Sequence, residues 1–187
     1  MVSYRIGIDE VGRGCLAGPL LVVAARQKGI LPLGVGDSKS LSRLLRVKLF
    51  NPLLAVCDFG EGWVLPVEID EQGLAHGLRL GVSRALKNLG ARPNDKIFLD
   101  GPVSYIPNKF KIYECIIGAD ATVPLVSAAS IYAKVTRDRF MQALSKEHPN
   151  YGFENHVGYA TAKHLLAITK LGPISSVHRF SFRRVSR

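Results

Sequence analysis

The fold of this chain is decided by a stretch near its N-terminus, Ile6-Gly7-Ile8-Asp9-Glu10-Val11-Gly12-Arg13-Gly14. Its apolar start predicts a β-strand, which ends in two adjacent carboxylates and then enters a glycine-rich turn. Carboxylates at a strand end bind hard cations such as Mg²⁺ or Mn²⁺. The glycines let the backbone approach a ligand closely, and the arginine between them offers a planar fork that matches a phosphate. The segment therefore predicts metal-assisted chemistry on a phosphodiester.

Length and composition predict a protein with one sizeable domain. Of its 187 residues, 47% are hydrophobic, which is normal for a packed soluble core. The apolar run at residues 20–25 is too short to cross a bilayer, and Asp9 and Glu10 interrupt any apolar signal segment. The three cysteines lie far apart and form no C-x-x-C pair, which suits buried thiols in a reducing compartment. We therefore expect a cytoplasmic protein that does not bind membranes.

Positive charge dominates the chain and is concentrated near its C-terminus. The net charge is +10, and no acidic residue follows Glu154 in the last 33 residues. Such a basic surface attracts nucleic acid by releasing counterions from the phosphate backbone. A solvated tail or binding to anionic lipid are the alternatives. The apolar residues interleaved at residues 177–182 favour docking onto the domain over disorder.

Periodicity along the chain predicts a mixed α/β fold. Apolar runs predict strands at residues 4–9, 20–26, 57–67, 96–99 and 111–117. Helical spacing predicts helices that begin after a cap at Ser40 or Ser42 and that cover residues 74–89, 125–146 and 158–170. The glycine turn predicts an antiparallel pairing of the first two strands.

Two finer expectations concern the helices, and a third concerns domains. We expect Asn51-Pro52 to end or kink the first helix. The four-residue spacing of Gly73, Gly77 and Gly81 predicts a close approach between the second helix and a neighbour. We expect residues 1–150 to form the main domain and residues 151–187 to form a basic, helical C-terminal appendage packed on it.

Three aspartates occupy equivalent places in the predicted fold. Asp9, Asp100 and Asp120 each close an apolar run and precede a glycine or a turn, and Glu10 adds a fourth carboxylate. Ligands in open α/β sheets collect beyond strand ends, so these side chains should converge. Their mutual repulsion would be relieved by two divalent ions, one activating water and the other stabilising the leaving oxygen.

The glycine turn also fits a rival template. Residues 12–17 match the dinucleotide-binding pattern G-x-G-x-x-A, with Asp37 somewhat beyond the expected acidic position. That template requires a helix directly after the glycines, whereas Gly18-Pro19 and a β-like run follow here. The two acids before the turn would also repel a pyrophosphate. The sequence therefore argues against a dinucleotide site.

The motifs closely resemble those of type 2 ribonuclease H (ribonuclease HII), in order and over almost the whole chain. The matching segments are Asp9-Glu10-Val11-Gly12-Arg13-Gly14, Ala17-Gly18-Pro19, Asp37-Ser38-Lys39-Ser40-Leu41, Asp100-Gly101, Asp120 with residues 127–138, Tyr151-Gly152-Phe153, His156-Val157-Gly158-Tyr159 and His178-Arg179-Phe180-Ser181-Phe182. The resemblance implies an RNase H-like fold, with a mixed five-stranded sheet flanked by helices. It also implies an endonuclease that cuts the RNA strand of RNA/DNA hybrids and nicks 5′ of single ribonucleotides embedded in duplex DNA.

The resemblance further implies roles for individual residues. Two Mg²⁺ or Mn²⁺ ions would be held by Asp9, Glu10, Asp100 and Asp120, and cleavage would leave 5′-phosphate and 3′-hydroxyl ends. The remaining roles concern the substrate: Gly12, Arg13 and Gly14 would recognise the ribose 2′-hydroxyl, Tyr159 would pack on the next deoxyribose, and Lys39 would contact the phosphate backbone. Such an enzyme would serve ribonucleotide removal and the removal of RNA primers.

The chain departs from the family pattern in a few places. Gly118-Ala119 replaces a lysine-glycine pair, Ala160 a proline and Phe180 a second arginine. No glutamine-led apolar-aromatic peptide for docking a sliding clamp follows the last motif, and we expect a monomer. Two other functions remain as alternatives: a non-catalytic basic nucleic-acid-binding module, and a nuclease or integrase-like enzyme that cuts all-DNA duplexes.

Two further groups of residues carry expectations. Lys134, Arg137 and Asp138 fall within one helical turn, which predicts an ion pair between the last two and leaves open whether Lys134 faces the metals. The spacing of His156 and of the two later histidines does not fit a metal site, and we expect all three at the surface or behind the site.

Overall fold

The computed structural model describes residues 3–36 and 41–185, and its centre is one five-stranded sheet. In chain order the strands are β1 (Arg5–Val11), β2 (Leu20–Gln27), β3 (Cys57–Val64), β4 (Lys96–Asp100) and β5 (Tyr113–Ile116). They lie in the order β3-β2-β1-β4-β5, antiparallel from β3 to β1 and parallel from β1 to β5. The predicted mixed sheet and the antiparallel pairing of its first two strands are confirmed.

Helices cover both faces of the sheet. They are α1 (Arg43–Val56), α2 (Pro66–Gln72), α3 (Leu74–Leu89), α4 (Ala119–Thr122), α5 (Pro124–Glu147), α6 (Phe153–His156) and α7 (Ala162–Leu171), with a short 3₁₀ helix at Pro149–Tyr151. Residues on β2 alternate between the two layers because successive strand side chains point to opposite faces. Leu20 and Val22 pack in the cluster that contains α3, and Leu21 and Val23 in the cluster with α1 and α5.

Helix α3 lies unusually close to the sheet, as its glycine spacing predicts. A Cβ added at Gly81 would lie 2.5 Å from Cγ2 of Val22, and one at Gly62 would lie 1.9 Å from the carbonyl oxygen of Gly81. Only glycine fits on both sides of this contact. Gly73 has no such neighbour, so its contribution to close packing is not confirmed.

Three local expectations need correction. Of the two outcomes expected at Asn51-Pro52, an end or a kink, the end is wrong, because helix α1 continues to Val56, and Leu53, directly after the proline, is fully buried. Packing of this face offsets the backbone hydrogen bond that proline cannot donate. The last long helix begins at Ala162 and not at residue 158, because Thr161 caps it through a hydrogen bond from the amide of His164. Helix α2 covers residues 66–72, the first two of which we expected in a strand.

The C-terminal segment docks on the turn that follows β1. Ala17 and His178 form an isolated antiparallel bridge, the amide of Arg179 donates to the carbonyl of Leu16, and that of Gly18 donates to Val177. The basic segment is therefore packed onto the sheet domain, while the boundary at residue 150 remains a prediction. Among the described residues, no helix has the length and apolar character needed to cross a membrane.

Candidate active site

The four predicted carboxylates converge on one open pocket. Asp9, Glu10, Asp100 and Asp120 line a cavity of about 310 Å³, together with Arg46, Ser130 and Lys134. The parallel pairing of β1 with β4 explains the convergence, since Ile8 lies opposite Leu99 and the next residue on each strand is an aspartate. Residues from two strands and three helices therefore meet at the carboxyl end of the sheet, where α/β folds collect ligands.

Asp9 is the most deeply placed of the β1 acids. Its side chain is 8% exposed, and its Oδ1 accepts a hydrogen bond from the amide of Glu10 at 2.8 Å. Burial raises its pKa to about 8, and repulsion from Glu10 and Asp100 adds to that rise, while a hydrogen bond with the Ser130 side chain opposes it. The pocket therefore penalises a negative charge at Asp9 in the absence of a cation.

The other acids are held by neighbours on their own side of the pocket. Burial raises the pKa of Glu10, against the opposing charge of Arg13, whose Nη1 lies 3.6 Å from its Oε1. Oδ1 of Asp100 accepts a hydrogen bond from the amide of Ala119 at 2.7 Å, which fastens the end of β4 to the start of α4. Asp120, the residue after Ala119, lies on α4 and is 3% exposed.

The donor set fits hard divalent cations. All four groups are carboxylates, which suit Mg²⁺ or Mn²⁺ better than softer metals. The raised pKa values of Asp9 and Glu10 reflect an excess of buried negative charge, which a cation would offset. Within residues 3–36 and 41–185, no three acidic, histidine or cysteine side chains already stand in an arrangement that holds an ion. The four carboxylates line one pocket, and binding of an ion would have to draw them together.

The glycine turn after β1 is shaped by its contact with α5. Gly12 has a φ of +89°, and a Cβ there would lie 2.4 Å from Nε of Arg137. Gly14 is different, because no atom lies within 4 Å of the position of an added Cβ and its φ is not in the left-handed region. Position 12 therefore requires glycine for the fold, whereas Gly14 leaves an open surface.

Arg137 does not pair with Asp138, contrary to the sequence-based expectation. It is fully buried and donates to three carbonyls, those of Pro19 at 2.8 Å, Val157 at 2.8 Å and Ala17 at 3.1 Å. The spacing within a helical turn suggested an ion pair, but the residue points into the chain turn that precedes β2. Its guanidinium thereby fixes the backbone beside the glycine turn.

Lys134 and Tyr159 extend the pocket on the side of α5. Nζ of Lys134 lies 2.7 Å from Oδ1 of Asp138 and 5.9 Å from the ring centroid of Tyr159. Because Lys134 also lines the acidic pocket, Tyr159 lies next to that pocket rather than in it. The tyrosine is 40% exposed, so part of it is accessible at the surface.

Comparisons with known proteins identify the family of this chain. A sequence model described as ribonuclease HII matches residues 6–185. The chain belongs to the ribonuclease HII family. A ribonuclease HII of Shewanella loihica is 41% identical over 186 residues, covering 98% of this chain and 88% of that protein. One from Parvibaculum lavamentivorans is 40% identical over 182 residues, covering 97% of this chain and 66% of that protein.

Solved structures confirm the RNase H-like fold. A chain from the PCNA:RNase HII complex of Archaeoglobus fulgidus matches with a TM-score of 0.80 and 27% identity, over 96% of each chain. The ribonuclease H2 of Pyrococcus horikoshii matches with a TM-score of 0.74 and 27% identity, over 98% of this chain and 95% of that one. The family membership makes this protein a metal-dependent ribonuclease H, an endonuclease that acts on RNA/DNA.

Three more residues of this ribonuclease HII family member concern the site, and the sequence predicts a role for only one of them, Lys39. Lys39 lies outside the described residues. Ser130 and Arg46 also line the pocket, although the sequence motifs imply no role for either; Ser130 belongs to the run of small residues at the start of α5. The only signal for Arg46 is its place on the helix after the Asp37-Ser38-Lys39 motif.

The histidines of this family member are buried, so of the two places expected for them, at the surface or behind the site, the surface is excluded. His156, His164 and His178 are at most 7% exposed and pack around the ring of Phe153. Rings of His156 and His164 stack with centroids 4.3 Å apart. A neutral imidazole can bury its faces like an aromatic ring while its nitrogens bond to backbone groups.

Proposed function

We propose that this ribonuclease H cuts the RNA strand of RNA/DNA hybrids and nicks duplex DNA 5′ of a single embedded ribonucleotide. Cleavage leaves 5′-phosphate and 3′-hydroxyl ends and serves ribonucleotide removal and RNA primer removal, with the enzyme acting as a monomer. The observation that carries the proposal is the convergence of four carboxylates on one pocket directly beside the glycine turn. Carboxylates supply the cleavage site, and the turn supplies contacts to one sugar.

The four carboxylates Asp9, Glu10, Asp100 and Asp120 are proposed to hold two Mg²⁺ or Mn²⁺ ions. When bound, such ions supply an activated water and stabilise the leaving oxygen. The residues themselves set the conditions for binding. Asp9 has to give up the proton that burial favours, and Glu10, which already lines the pocket, has to exchange its contact with Arg13 for one with an ion.

Recognition of the RNA–DNA junction is assigned to the glycine turn at residues 12–14 together with Tyr159, which we call the junction reader. The open surface at Gly14 lets backbone groups reach a ribose 2′-hydroxyl, the group that separates RNA from DNA. The Tyr159 side chain is 40% exposed and forms a hydrogen bond with the side chain of Cys15, directly after the turn, and its ring would be crowded by a hydroxyl on the next sugar. Together they favour ribose followed by deoxyribose.

Positive side chains continue from the pocket along the surface. A groove of about 210 Å³ between α1 and α5 is lined by Arg43, Arg46, Lys134 and Arg139, and Arg46 and Lys134 also border the acidic pocket. Such contacts to phosphates fix the register of a duplex without reading its sequence. Lys39 is proposed to add a phosphate contact.

The decisive experiment compares purified wild-type protein with Asp100→Asn on three duplexes. These contain one ribonucleotide, a continuous RNA strand or DNA alone, each with Mg²⁺, Mn²⁺ or a chelator. The variant should bind the hybrid but not cut it, because a neutral amide is a poorer ligand for hard cations than a carboxylate. Asp58→Asn is the control, since Asp58 pairs with Arg26 and Lys28 outside the pocket.

The same gel separates the alternatives. A basic binding module would bind with salt dependence but give no metal-dependent cleavage, and an integrase-like enzyme would cut the all-DNA duplex. Wild-type cleavage by Asp100→Asn would remove this residue from the mechanism. Light scattering of the purified protein tests the monomer.

A further inference from the structure

Two adjacent residues of the C-terminal segment reach the two halves of the junction reader. His178 forms a backbone bridge with Ala17, four residues after Arg13, so the segment lies across the loop that follows the glycine turn. From there the side chain of Arg179 extends to the glycine turn, while the ring of His178 extends towards α7 and Tyr159. The segment therefore connects elements that are far apart in the sequence.

The arginine holds the glycine turn by its carbonyls. Nη1 of Arg179 donates to the carbonyl of Arg13 at 3.0 Å, and Nε and Nη2 donate to that of Gly18 at 3.2 and 2.9 Å. The side chain is fully buried, and burial lowers its pKa to about 10, so it stays charged at neutral pH. A planar fork that bonds to two carbonyls fixes their relative position.

The two histidines hold the backbone of Tyr159 through a chain of hydrogen bonds. The backbone groups at its two ends determine which nitrogen of each ring carries the proton. The amide of Ile174 donates to Nδ1 of His178 at 2.9 Å, so the proton of the neutral ring lies on Nε2. That Nε2 lies 3.2 Å from Nε2 of His164 and donates to it. His164 then carries its proton on Nδ1, which donates to the carbonyl of Tyr159 at 2.9 Å.

Burial keeps the rings of His164 and His178 neutral. His164 is 0% and His178 1% exposed. Burial lowers the pKa of His164, and it lowers that of His178 to about 4 with a contribution from the nearby histidines. The carbonyl of Tyr159 also accepts from the amide of Thr161 at 2.8 Å, so the two bonds together fix the peptide that carries the tyrosine.

We infer that His178, His164 and Arg179 are positioning residues that hold Tyr159 and the glycine turn at a fixed separation, and that this sets the preference for a ribose–deoxyribose junction. The inference rests on the proposed function of the junction reader. A continuous hybrid presents a ribose at both places and depends less on that separation. Loss of the histidine chain should therefore affect nicking at a single ribonucleotide more than cleavage of a hybrid.

Two substitutions of His164 separate the hydrogen bond from mere packing. Asparagine places its amide nitrogen near the position of Nδ1 and keeps the bond to Tyr159, whereas glutamine places its amide near Nε2 and loses that bond. The measured quantity is the ratio of kcat/KM for a single-ribonucleotide duplex to that for a continuous hybrid. We expect His164→Gln to lower this ratio about tenfold or more and His164→Asn to restore it to within about threefold of the wild type.

Repeating the His164 substitution in a Tyr159→Ala protein distinguishes failure of the proposed role of Tyr159 from failure of the positioning inference. In a Tyr159→Ala protein, whose ratio should already be low, His164→Gln should have no further effect. If Tyr159→Ala leaves the ratio unchanged, the proposed role of Tyr159 fails. If that variant lowers the ratio but His164→Gln does not, or if asparagine and glutamine act alike, the positioning inference is overturned and the tyrosine role stands.

Folding is checked separately by circular dichroism and thermal unfolding. Should His164→Gln not fold, His178→Asn replaces it, because its Oδ1 can still accept from Ile174 while the donor to His164 is gone. A lowered ratio supports the inference, and an unchanged ratio contradicts it. His76→Gln, on the exposed surface of α3, is the matched control.

Discussion

The guanidinium of Arg137 occupies the space where a side chain at Gly12 would lie, with Nε 2.4 Å from the position of an added Cβ. Gly12 also has a backbone φ of +89°, which residues other than glycine rarely adopt. The two residues therefore depend on each other: the arginine reaches three carbonyls across the back of the turn only because residue 12 has no side chain. This contact joins the end of β1 to α5 beside the acidic pocket.

Gly12→Ala and Gly14→Ala form a matched pair that tests this dependence. Gly12→Ala should lower the free energy of unfolding by about 2–3 kcal/mol, since it adds backbone strain and displaces a buried side chain. It should also abolish cleavage. Gly14→Ala has open space around it, so its unfolding midpoint in urea should match the wild type while its KM for the single-ribonucleotide duplex rises. Equal unfolding midpoints for both variants would contradict the packing argument.

Arg137→Lys tests whether the buried guanidinium acts by shape or by charge. Lysine keeps the charge but cannot match the planar arrangement that donates to Pro19, Ala17 and Val157. Unsatisfied buried carbonyls each cost about 1–3 kcal/mol, so we expect a loss of about 3 kcal/mol in urea unfolding. Arg92→Lys, with an exposed side chain, should change stability by less than about 0.5 kcal/mol. A similar small change in Arg137→Lys would show that charge alone suffices.

The sequence predicts the acidic pocket because short-range patterns determine it. One apolar run ends in Asp100, the last residue of β4, and another in Asp9, two residues before the end of β1, and parallel pairing of the two strands then brings these residues together. Leucines every four residues likewise predict α3, and Gly90 in the left-handed conformation ends it as expected. In these places local propensity and tertiary packing favour the same structure.

Residues whose partners are remote in the sequence could not be predicted. The spacing of Arg137 and Asp138 favours an ion pair, but the partners of the arginine are carbonyls near residue 18 and at Val157. The buried histidines pose the same problem, since a polar residue between apolar ones is equally consistent with the surface. Pro52 shows the reverse case, in which packing of Leu53 overrides a local rule.

The buried His178 predicts a dependence of stability on acid. Its pKa is about 4 in the folded protein and 6.5 as the ordinary value, so the unfolded chain binds more protons between these values. Its contribution to stability is therefore complete above pH 6.5 and is lost as the pH falls towards 4, by up to about 1.4 kcal/mol per pH unit. The difference in unfolding free energy between wild type and His178→Asn should shrink over this range. A constant difference would contradict the burial argument.

The buried carboxyl of Asp9 predicts the opposite dependence of stability on pH. This dependence is measured in the presence of a chelator. Burial raises its pKa from 3.8 to about 8, so the folded protein keeps a proton that the unfolded chain loses, and stability falls as the pH rises through this range. Asp9→Asn has no such proton and should gain stability relative to the wild type between pH 4 and 8, while cleavage is lost. Asp58→Asn should instead lose stability, because Lys28 and Arg26 lower the pKa of that partly exposed carboxylate. Thermal unfolding across this pH range checks both signs, and parallel curves for the wild type and Asp9→Asn would show that Asp9 is not penalised by burial.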